Sequence, residues 1–282
     1  MSFWRAFLLI LSLATLCARG RPAPQRPETS EALRQEEARG DLLMARKMFL
    51  EAVSVYTGVL REKPHDARLL NKIGIAYHQL GDLREAERYY RRAARADKTF
   101  ASPVNNLGTL EYAKKKYKGA IKYYRRALHL EPNSAVIYSN LGYAYLARKQ
   151  VREAVLAFQQ AVRLDPEVFL RREQAGSIVE QRGGADPATL YFTLAKTFAL
   201  LGNVEQCAHY LKMARDEGYP RLRDVLKDPA FRSVLKDARI QEVLAPVLNP
   251  TPGPSGASLR ITKRSLGLTF LGRPHAIRCS AC

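Results

Sequence analysis

Small and apolar residues recur along the middle of the chain with a fixed period of 34 residues. One copy of the pattern holds Leu107, Gly108, Ala120, Tyr124, Ala127 and Pro132, and the next holds Leu141, Gly142, Ala154, Phe158, Ala161 and Pro166. Two earlier copies hold Ile73, Gly74, Tyr77, Ala86, Tyr90 and Ala93, and before them Gly40, Ala52, Tyr56 and Pro64. The pattern predicts four tandem repeats over 31–168.

The skeleton of Leu-Gly-x-x-Tyr, Ala-x-x-x-Phe or Tyr, and Pro closely resembles the tetratricopeptide repeat. The resemblance implies an all-α fold, in which helix-turn-helix units stack into a right-handed superhelix, or α-solenoid. Two antiparallel helices approach closely only where small residues lie at their crossing, which is the role predicted for Gly142 and Ala154 beside Tyr145 and Phe158. Pro166 is predicted to end the second helix, because proline cannot continue one.

Two turns are predicted from residues other than proline. Lys98 replaces the proline of the second copy, so Asp97 to Thr99 are predicted to form the turn there. Between the two helices of a repeat, Gly81 is the clearest turn residue.

The first 30 residues differ from the repeats. Residues 1–20 combine an early charge, Arg5, with an apolar run and a small-x-small ending, which predicts a signal peptide. The run is shorter than the roughly 20 residues of a membrane-spanning helix. An uncleaved anchor and a lipid on Cys17 are the alternatives. Residues 21–30 are rich in proline and are predicted to form an extended linker, with Ser30 as the N-cap of the first helix. A second helix over about 49–62 is predicted to complete the first repeat.

Beyond the fourth repeat the register is lost. Residues 169–187 are predicted to form a connector, partly helix and partly loop. The pattern then resumes over 188–217, which we interpret as a fifth, divergent repeat with Cys207 as a core thiol at the crossing. A solenoid needs a cap on its last apolar face, and 218–248 is predicted to supply short capping helices. Asp228 and Asp237 are the predicted N-caps of helices over 231–235 and 240–248. Residues 249–282 are predicted to be a disordered basic tail.

Charge is distributed unevenly along this chain of net charge +19. Nine of the 46 basic residues lie in 1–27 and 249–282, which contain no acidic residue. Within the repeats, cations concentrate on second helices, which form the outer surface of such a solenoid: Arg84, Arg88, Arg91, Arg92, Arg95, Lys114, Lys115, Lys116, Lys118, Lys122, Arg125 and Arg126. A solvated face and a site for a polyanion, such as nucleic acid, anionic lipid or an acidic protein, both remain open.

No catalytic motif is recognisable in the sequence. It contains no Gly-x-Ser-x-Gly, no phosphate-binding glycine loop and no His-Glu-x-x-His. Cys279 and Cys282 have Cys-x-x-Cys spacing, which fits either a disulfide formed after export or an incidental tail, and no second ligand pair for a metal accompanies them. We therefore expect a protein that is not an enzyme, with no cofactor, no metal and no small-molecule substrate.

The remaining candidate site is the concave groove, which first helices line in proteins that resemble this one. The corresponding positions here form an amide-rich and aromatic lining. The predicted partner-binding residues are Asn71, Lys72, Ile75, His78, Asn105, Asn106, Thr109, Tyr112, Ser139, Asn140 and Tyr143.

Two comparisons within the family refine this prediction. Repeats that bind chaperone C-terminal carboxylates use a clamp of Lys and Asn, but Glu37 and Asp41 stand at those positions of the first repeat. Asn106 and Asn140, each followed by Leu-Gly, resemble instead the asparagine ladder of protein O-linked N-acetylglucosamine transferases, which binds the backbone of an extended peptide. A plain helix-surface role for both is the alternative, and as surface positions both are expected to tolerate alanine with little loss of stability.

The sequence as a whole predicts an exported scaffold protein, periplasmic or extracellular, of a bacterial envelope. It is expected to bind a partner peptide or helix in the groove. The alternative is a basic surface protein that binds a polyanion through its outer helices and tail.

Overall fold

The computed structural model describes residues 27–170 and 186–248. The helices are α1 Pro27–Ala45, α2 Phe49–Glu62, α3 Ala67–Gln79, α4 Leu83–Ala96, α5 Ala101–Ala113, α6 Tyr117–Leu130, α7 Ala135–Ala147, α8 Val151–Leu164, α9 Pro187–Leu200, α10 Val204–Asp216 and α11 Ala238–Leu248. Two 3₁₀ helices, Leu222–Leu226 and Pro229–Phe231, precede α11. No strand occurs within these two described ranges, and the predicted all-α class is confirmed.

Consecutive helices pack as hairpins. The pairs are α1 with α2, α3 with α4, α5 with α6, α7 with α8, and α9 with α10. The second helix of each pair also packs on the first helix of the next pair, so each unit contacts only its neighbours along most of the chain. This is the packing of an α-solenoid, as the 34-residue period predicts.

Close approach within the first four hairpins depends on a glycine in the first helix and an aromatic ring in the second. A Cβ on Gly74 would lie 2.6 Å from the Tyr90 ring, and one on Gly108 would lie 2.7 Å from the Tyr124 ring. Gly40 and Gly142 face Tyr56 and Phe158 in the same way. The four rings are at most 1% exposed, so each fills the space that the missing side chain leaves.

The turn inside each hairpin repeats one backbone motif. Lys47, Gly81, Lys115 and Lys149, spaced 34 residues apart, all have positive φ, and Gly202 does so in the fifth hairpin. The next N–H donates to a carbonyl five residues earlier, as from Asp82 to Tyr77 at 3.0 Å and from Lys116 to Glu111 at 2.8 Å. This is the Schellman arrangement, which satisfies helix C-terminal carbonyls. The sequence indicated this turn at Gly81 and at Gly202, but not at the three lysines, because lysine is not a typical residue for this conformation.

Two of the predicted helix boundaries are confirmed by side-chain hydrogen bonds. The chain turns after α4 at Asp97, whose Oδ1 accepts from the backbone N and the Oγ1 of Thr99 at 2.8 and 2.7 Å, where proline ends other repeats. Asp237 Oδ1 accepts from the backbone N of Arg239 at 3.0 Å at the start of α11.

Two other boundaries were predicted wrongly. Ser30 is not the N-cap of α1, because the helix already begins at Pro27, inside the predicted linker. Proline is tolerated in the first turn of a helix, since its missing N–H has no partner there in any case. Asp228 does cap the next element, but that element is the 3₁₀ helix Pro229–Phe231 rather than the short helix predicted over 231–235.

The apolar face of the last hairpin is covered by the segment that follows it. Phe192 of α9 stacks on Tyr219 at 4.2 Å between ring centroids, and Phe231 is fully buried. Asp228 Oδ2 accepts from Lys196 Nζ at 2.6 Å, which fixes the 3₁₀ segment to α9. Residues 218–248 therefore close the end of the solenoid.

Several predictions concern residues outside the described ranges. The signal peptide 1–20, most of the linker 21–30, most of the connector 169–187 and the tail 249–282 are among them. Across 27–170 and 186–248, no helix has both the length and the apolar character that a membrane crossing requires.

Candidate functional site

The first helices α3, α5 and α7 lie side by side and bring four of the predicted asparagines into one hydrogen-bonded chain. Asn106 Nδ2 donates to Asn71 Oδ1 at 3.0 Å, and Asn140 Nδ2 donates to Asn105 Oδ1 at 2.9 Å. Within α5, Asn105 Nδ2 donates to Asn106 Oδ1 at 3.3 Å. We call this chain of four amides, which crosses three repeats, the amide relay.

The two middle members of the relay keep hydrogen-bonding capacity. A primary amide has two N–H donors and two acceptor lone pairs. Asn105 and Asn106 each spend one N–H and one lone pair within the relay, and both side chains are partly exposed. Each therefore retains one N–H and one lone pair, which is the complement of one peptide group.

The structure divides the eleven predicted site residues into two sets. Five are partly exposed: Lys72, Ile75, Asn105, Asn106 and Thr109. Six are buried: Asn71, His78, Tyr112, Ser139, Asn140 and Tyr143. The accessible part of the predicted site is thus concentrated on α3 and α5, and the buried residues support it from beneath.

The buried aromatic members pack against second helices. Tyr143 lies edge-on to Phe158, with ring centroids 5.3 Å apart, and Tyr112 contacts Tyr117 at the same centroid distance. His78 packs edge-on to the Tyr90 ring at 6.4 Å. The sequence could not show that these residues are buried. Spacing places a residue on a helix face, but it does not show how closely the neighbouring helix covers that face.

At the N-terminal end of the groove, Lys72 is held by two carboxylates of α1. Its Nζ lies 2.8 Å from Glu37 Oε1 and 2.7 Å from Asp41 Oδ1, and Tyr56 donates its hydroxyl to Asp41 Oδ1 at 2.6 Å. Burial acts to lower the pKa of Lys72, but the hydrogen bonds to Asp41 and Glu37 outweigh it and raise that pKa. Burial and the Asp41 carboxylate raise the pKa of the Tyr56 hydroxyl. Lys72 is therefore protonated and already paired with two carboxylates, so it is not a free cation for a partner's carboxylate.

Nothing in the described ranges resembles a metal or redox centre. No three His, Cys, Asp or Glu side chains between residues 27 and 170 or 186 and 248 are grouped to hold a metal ion. Cys207 is fully buried at the α9–α10 crossing, where burial raises the pKa of its thiol to about 12. It is a core thiol, as predicted.

The amide relay itself was not anticipated from the sequence. Its two inter-helix bonds join residues 35 apart, which is one period plus one residue. Asparagine pairs at that spacing were the available signal. The two rungs proposed from the family resemblance, Asn106 and Asn140, both belong to the relay but do not bond to each other.

Comparisons with known proteins agree with this architecture. Tetratricopeptide repeat models match residues 34–99 and 135–168, and a TPR repeat model matches residues 108–148. No curated protein sequence matches the chain significantly.

Similar solved structures exist at low sequence identity. PilF of Pseudomonas aeruginosa is 20% identical, with 77% of this chain and 98% of that chain covered and a TM-score of 0.47. MamA of Desulfovibrio magneticus RS-1 is 19% identical, with 66% and 95% covered and a TM-score of 0.46. YrrB, described as a TPR protein with an unusual peptide-binding site, is 20% identical, with 68% and 90% covered and a TM-score of 0.43.

Tandem helical hairpins with a polar groove on their first helices define a helical-repeat scaffold, a class of protein that binds other proteins. The matched repeats identify the family. The chain is a tetratricopeptide repeat protein.

Proposed function

We propose that this protein binds an extended, largely uncharged segment of a partner protein in the groove over α3, α5 and α7. The observation that supports the proposal most strongly is the amide relay, which holds Asn105 and Asn106 in place while leaving each with one N–H and one acceptor. Paired with successive backbone peptide groups, these two amides provide affinity with little dependence on side-chain sequence.

The surroundings of the relay favour a neutral ligand. The positive charge of Lys72 is compensated by Glu37 and Asp41, so this end of the groove has little attraction for acidic groups of a ligand. Ile75 is partly exposed and Val136 is 53% exposed, and both provide apolar contact beside the amides. The segment expected here is extended, so that its backbone peptide groups face the amides, and it has small or apolar side chains towards the groove.

The test starts from a library of displayed twelve-residue peptides selected on the full-length protein. Selected peptides are then measured against Ser102→Trp, which adds bulk one helical turn before Asn106 without removing a relay bond. The matched control is Arg95→Trp at an exposed position on α4.

We expect Ser102→Trp to weaken binding at least about tenfold, and Arg95→Trp to change it less than about twofold. Unchanged binding by the Ser102 variant, with both variants folded by circular dichroism, would place the ligand elsewhere and reject the groove.

We further propose that the protein is exported and acts outside the cytoplasm, in a bacterial periplasm or extracellular space. The proposal rests on the sequence pattern of residues 1–20. Mature protein recovered from an exporting host is expected to begin near Arg21. Recovery with Met1 as the first residue, or with a lipid on Cys17, would contradict it.

A further inference from the structure

A second groove runs along α6 on the outer side of the third repeat. One part, of about 420 Å³, is lined by Lys118, Lys122, Arg125, Arg126 and Arg148, with Ile121 and His129 beside them. An adjoining part, of about 300 Å³, adds Lys115 and Lys116 at the turn before the helix and shares Lys118 and Arg148 with the first. Because they share these walls, we treat the two as one surface, the basic groove.

The cations of the basic groove lack the compensation found elsewhere on the outer surface. On α4, Arg88 and Arg91 lie 2.6 Å from Glu85 and Glu87, and Lys114 also reaches Glu87 at 2.6 Å. By contrast, α6 contains no Asp or Glu.

Within residues 27–170 and 186–248, no carboxylate lies within 4.0 Å of the charged nitrogens of the central groove residues. These are Lys118, Lys122, Arg126 and Arg148. Glu111 lies beside Gly119 at the start of α6, and its carboxylate is 3.8 Å from Lys114.

This arrangement costs the free protein stability. Lys118, Lys122 and Arg126 follow one another at i, i+4 spacing, and like charges at that spacing repel. Arg125 is held in the groove wall by donating from Nη2 to the Tyr145 hydroxyl at 2.6 Å, with its guanidinium 5.8 Å from the centre of that ring. An anion bound along α6 would relieve the repulsion without moving Arg125.

The dimensions of the basic groove favour a peptide over other polyanions. From Lys118 to His129 the helix rises about 16 Å at about 1.5 Å per residue, which about five residues of extended chain would span. The cations form a single row along one helix beside a shallow depression, which matches a short extended chain. Single-stranded nucleic acid stacks its bases on a row of exposed aromatic rings. Tyr117 also lines the groove, but its ring is partly buried and packs on Tyr112, so it does not form such a row.

We infer that the basic groove on α6 docks an acidic peptide segment of a partner protein, about five residues long and containing at least three carboxylates. This site is separate from the amide relay and recognises the opposite kind of segment. It would let one solenoid hold a neutral and an acidic stretch of the same partner, or of two partners, on its two sides.

The test uses the full-length protein and a fluorescein-labelled octapeptide with five Glu residues, together with a matched probe in which those residues are Gln. Binding is followed by fluorescence anisotropy. The groove variant is Lys122→Glu with Arg126→Glu. The control is Arg84→Glu with Arg95→Glu on α4, which changes the net charge equally at exposed positions that bear no relay or groove contact.

We expect the Glu probe to bind and the Gln probe not to bind. The groove variant should weaken binding at least about tenfold and the α4 control less than about twofold, and added salt should weaken the wild-type complex. The groove variant should still bind the neutral library peptides normally, which separates this inference from the proposed function.

Three results would overturn the inference. Equal losses in the two charge-reversal variants would mean attraction by net charge alone. Equal binding of the Glu and Gln probes would remove the carboxylates from recognition. Tighter binding of a twelve-nucleotide single-stranded DNA or of phosphatidylserine vesicles, abolished by the groove variant, would assign the groove to that polyanion instead.

Discussion

Gly108 faces the ring of Tyr124 across the crossing of α5 and α6, and its lack of a side chain is a condition for that crossing. An added Cβ would lie 2.7 and 2.8 Å from two ring carbons. Gly108→Ala is therefore expected to lower the free energy of unfolding by about 1–3 kcal/mol, because Tyr124 is fully buried and cannot move aside cheaply. Urea denaturation measures the change.

Gly58 provides the matched control, since it lies inside α2 with nothing within 4 Å of an added Cβ. Gly58→Ala should raise stability by about 0.5–1 kcal/mol, as alanine is the better helix residue. Similar effects at the two glycines would show that helix propensity, and not the crossing, governs Gly108.

Lys149 occupies a backbone conformation that suits glycine, with φ of 61° in the turn between α7 and α8. A left-handed conformation costs an L-residue about 1–2 kcal/mol, while glycine loses more chain entropy on folding. Lys149→Gly is thus expected to raise the melting temperature and to increase the free energy of unfolding by about 0.5–1 kcal/mol. The reciprocal change, Gly81→Ala at φ of 81°, should lower it. A destabilised Lys149→Gly would mean that this lysine makes a stabilising contact in solution.

At this scale the sequence predicted packing better than polar contacts. The glycines and rings of the crossings follow from a 34-residue period, whereas the bonding of Asn106 and Asn140 depends on the rotation of neighbouring helices. Asn140 is 3% exposed and bonded to Asn105, so the expectation that it behaves as a surface position is wrong. Loss of a relay bond should cost about 1 kcal/mol of stability. Substituting a relay asparagine would therefore change stability as well as binding, whereas Ser102→Trp removes no relay bond.

Helices α1, α2 and α3 are joined by a polar cluster of Tyr56, Asp41, Lys72 and Glu37. The Tyr56 hydroxyl donates to Asp41 at 2.6 Å, and Lys72 bridges both carboxylates. Tyr56→Phe should cost about 1 kcal/mol at neutral pH, because the acceptor is charged but its side chain is 52% exposed.

The same cluster makes the stability of the fold decrease as the pH rises into the alkaline range. Folding raises the pKa of Tyr56 above its ordinary value of 10.0 and that of Lys72 above 10.5. Above about pH 10 the unfolded chain releases these protons while the folded protein retains them, so stability is complete below pH 10 and falls as pH rises further. Denaturation midpoints from pH 8 to 11 should fall less steeply for Tyr56→Phe than for the wild type. Parallel curves would contradict a role for Tyr56.

Helix positions were predictable wherever the period held, and less so where it ended. The expected second helix over 49–62 is α2, and the turn at Asp97 lies where the missing proline suggested. The beginning of α1 and the 3₁₀ segment at Pro229 lie outside the period. There only local cap signals were available, and those signals do not determine how many residues follow in the helix.

Across the whole molecule the core is unevenly distributed. The largest cluster of buried residues has members from Ala101 to Leu244, and a second cluster serves the first two hairpins. A third, small cluster joins α4 to α5. Helix α7 buries nine residues, whereas the apolar side chains of α1, such as Leu33, Leu43 and Met44, are only partly buried. A terminal unit with one packed face is expected to open locally at lower cost.

Amide hydrogen exchange should therefore be fastest at the N-terminal end of the solenoid. Peptides covering 30–45 are expected to exchange well before those covering 135–164, when followed by mass spectrometry at neutral pH. Uniform protection along all hairpins would contradict the uneven core and indicate a single cooperative unit.

In the proposed complex, Asn105 and Asn106 each offer one N–H and one acceptor lone pair to an extended partner segment. Titration of the full-length protein with a library-selected peptide, followed by the side-chain Nδ2 signals in ¹H–¹⁵N correlation spectra, measures this directly. We expect the signals of Asn105 and Asn106 to shift with ligand concentration and Ser102→Trp to abolish the shifts. Unchanged asparagine signals, with movement confined to backbone amides of α6 around Lys122 and Arg126, would contradict it.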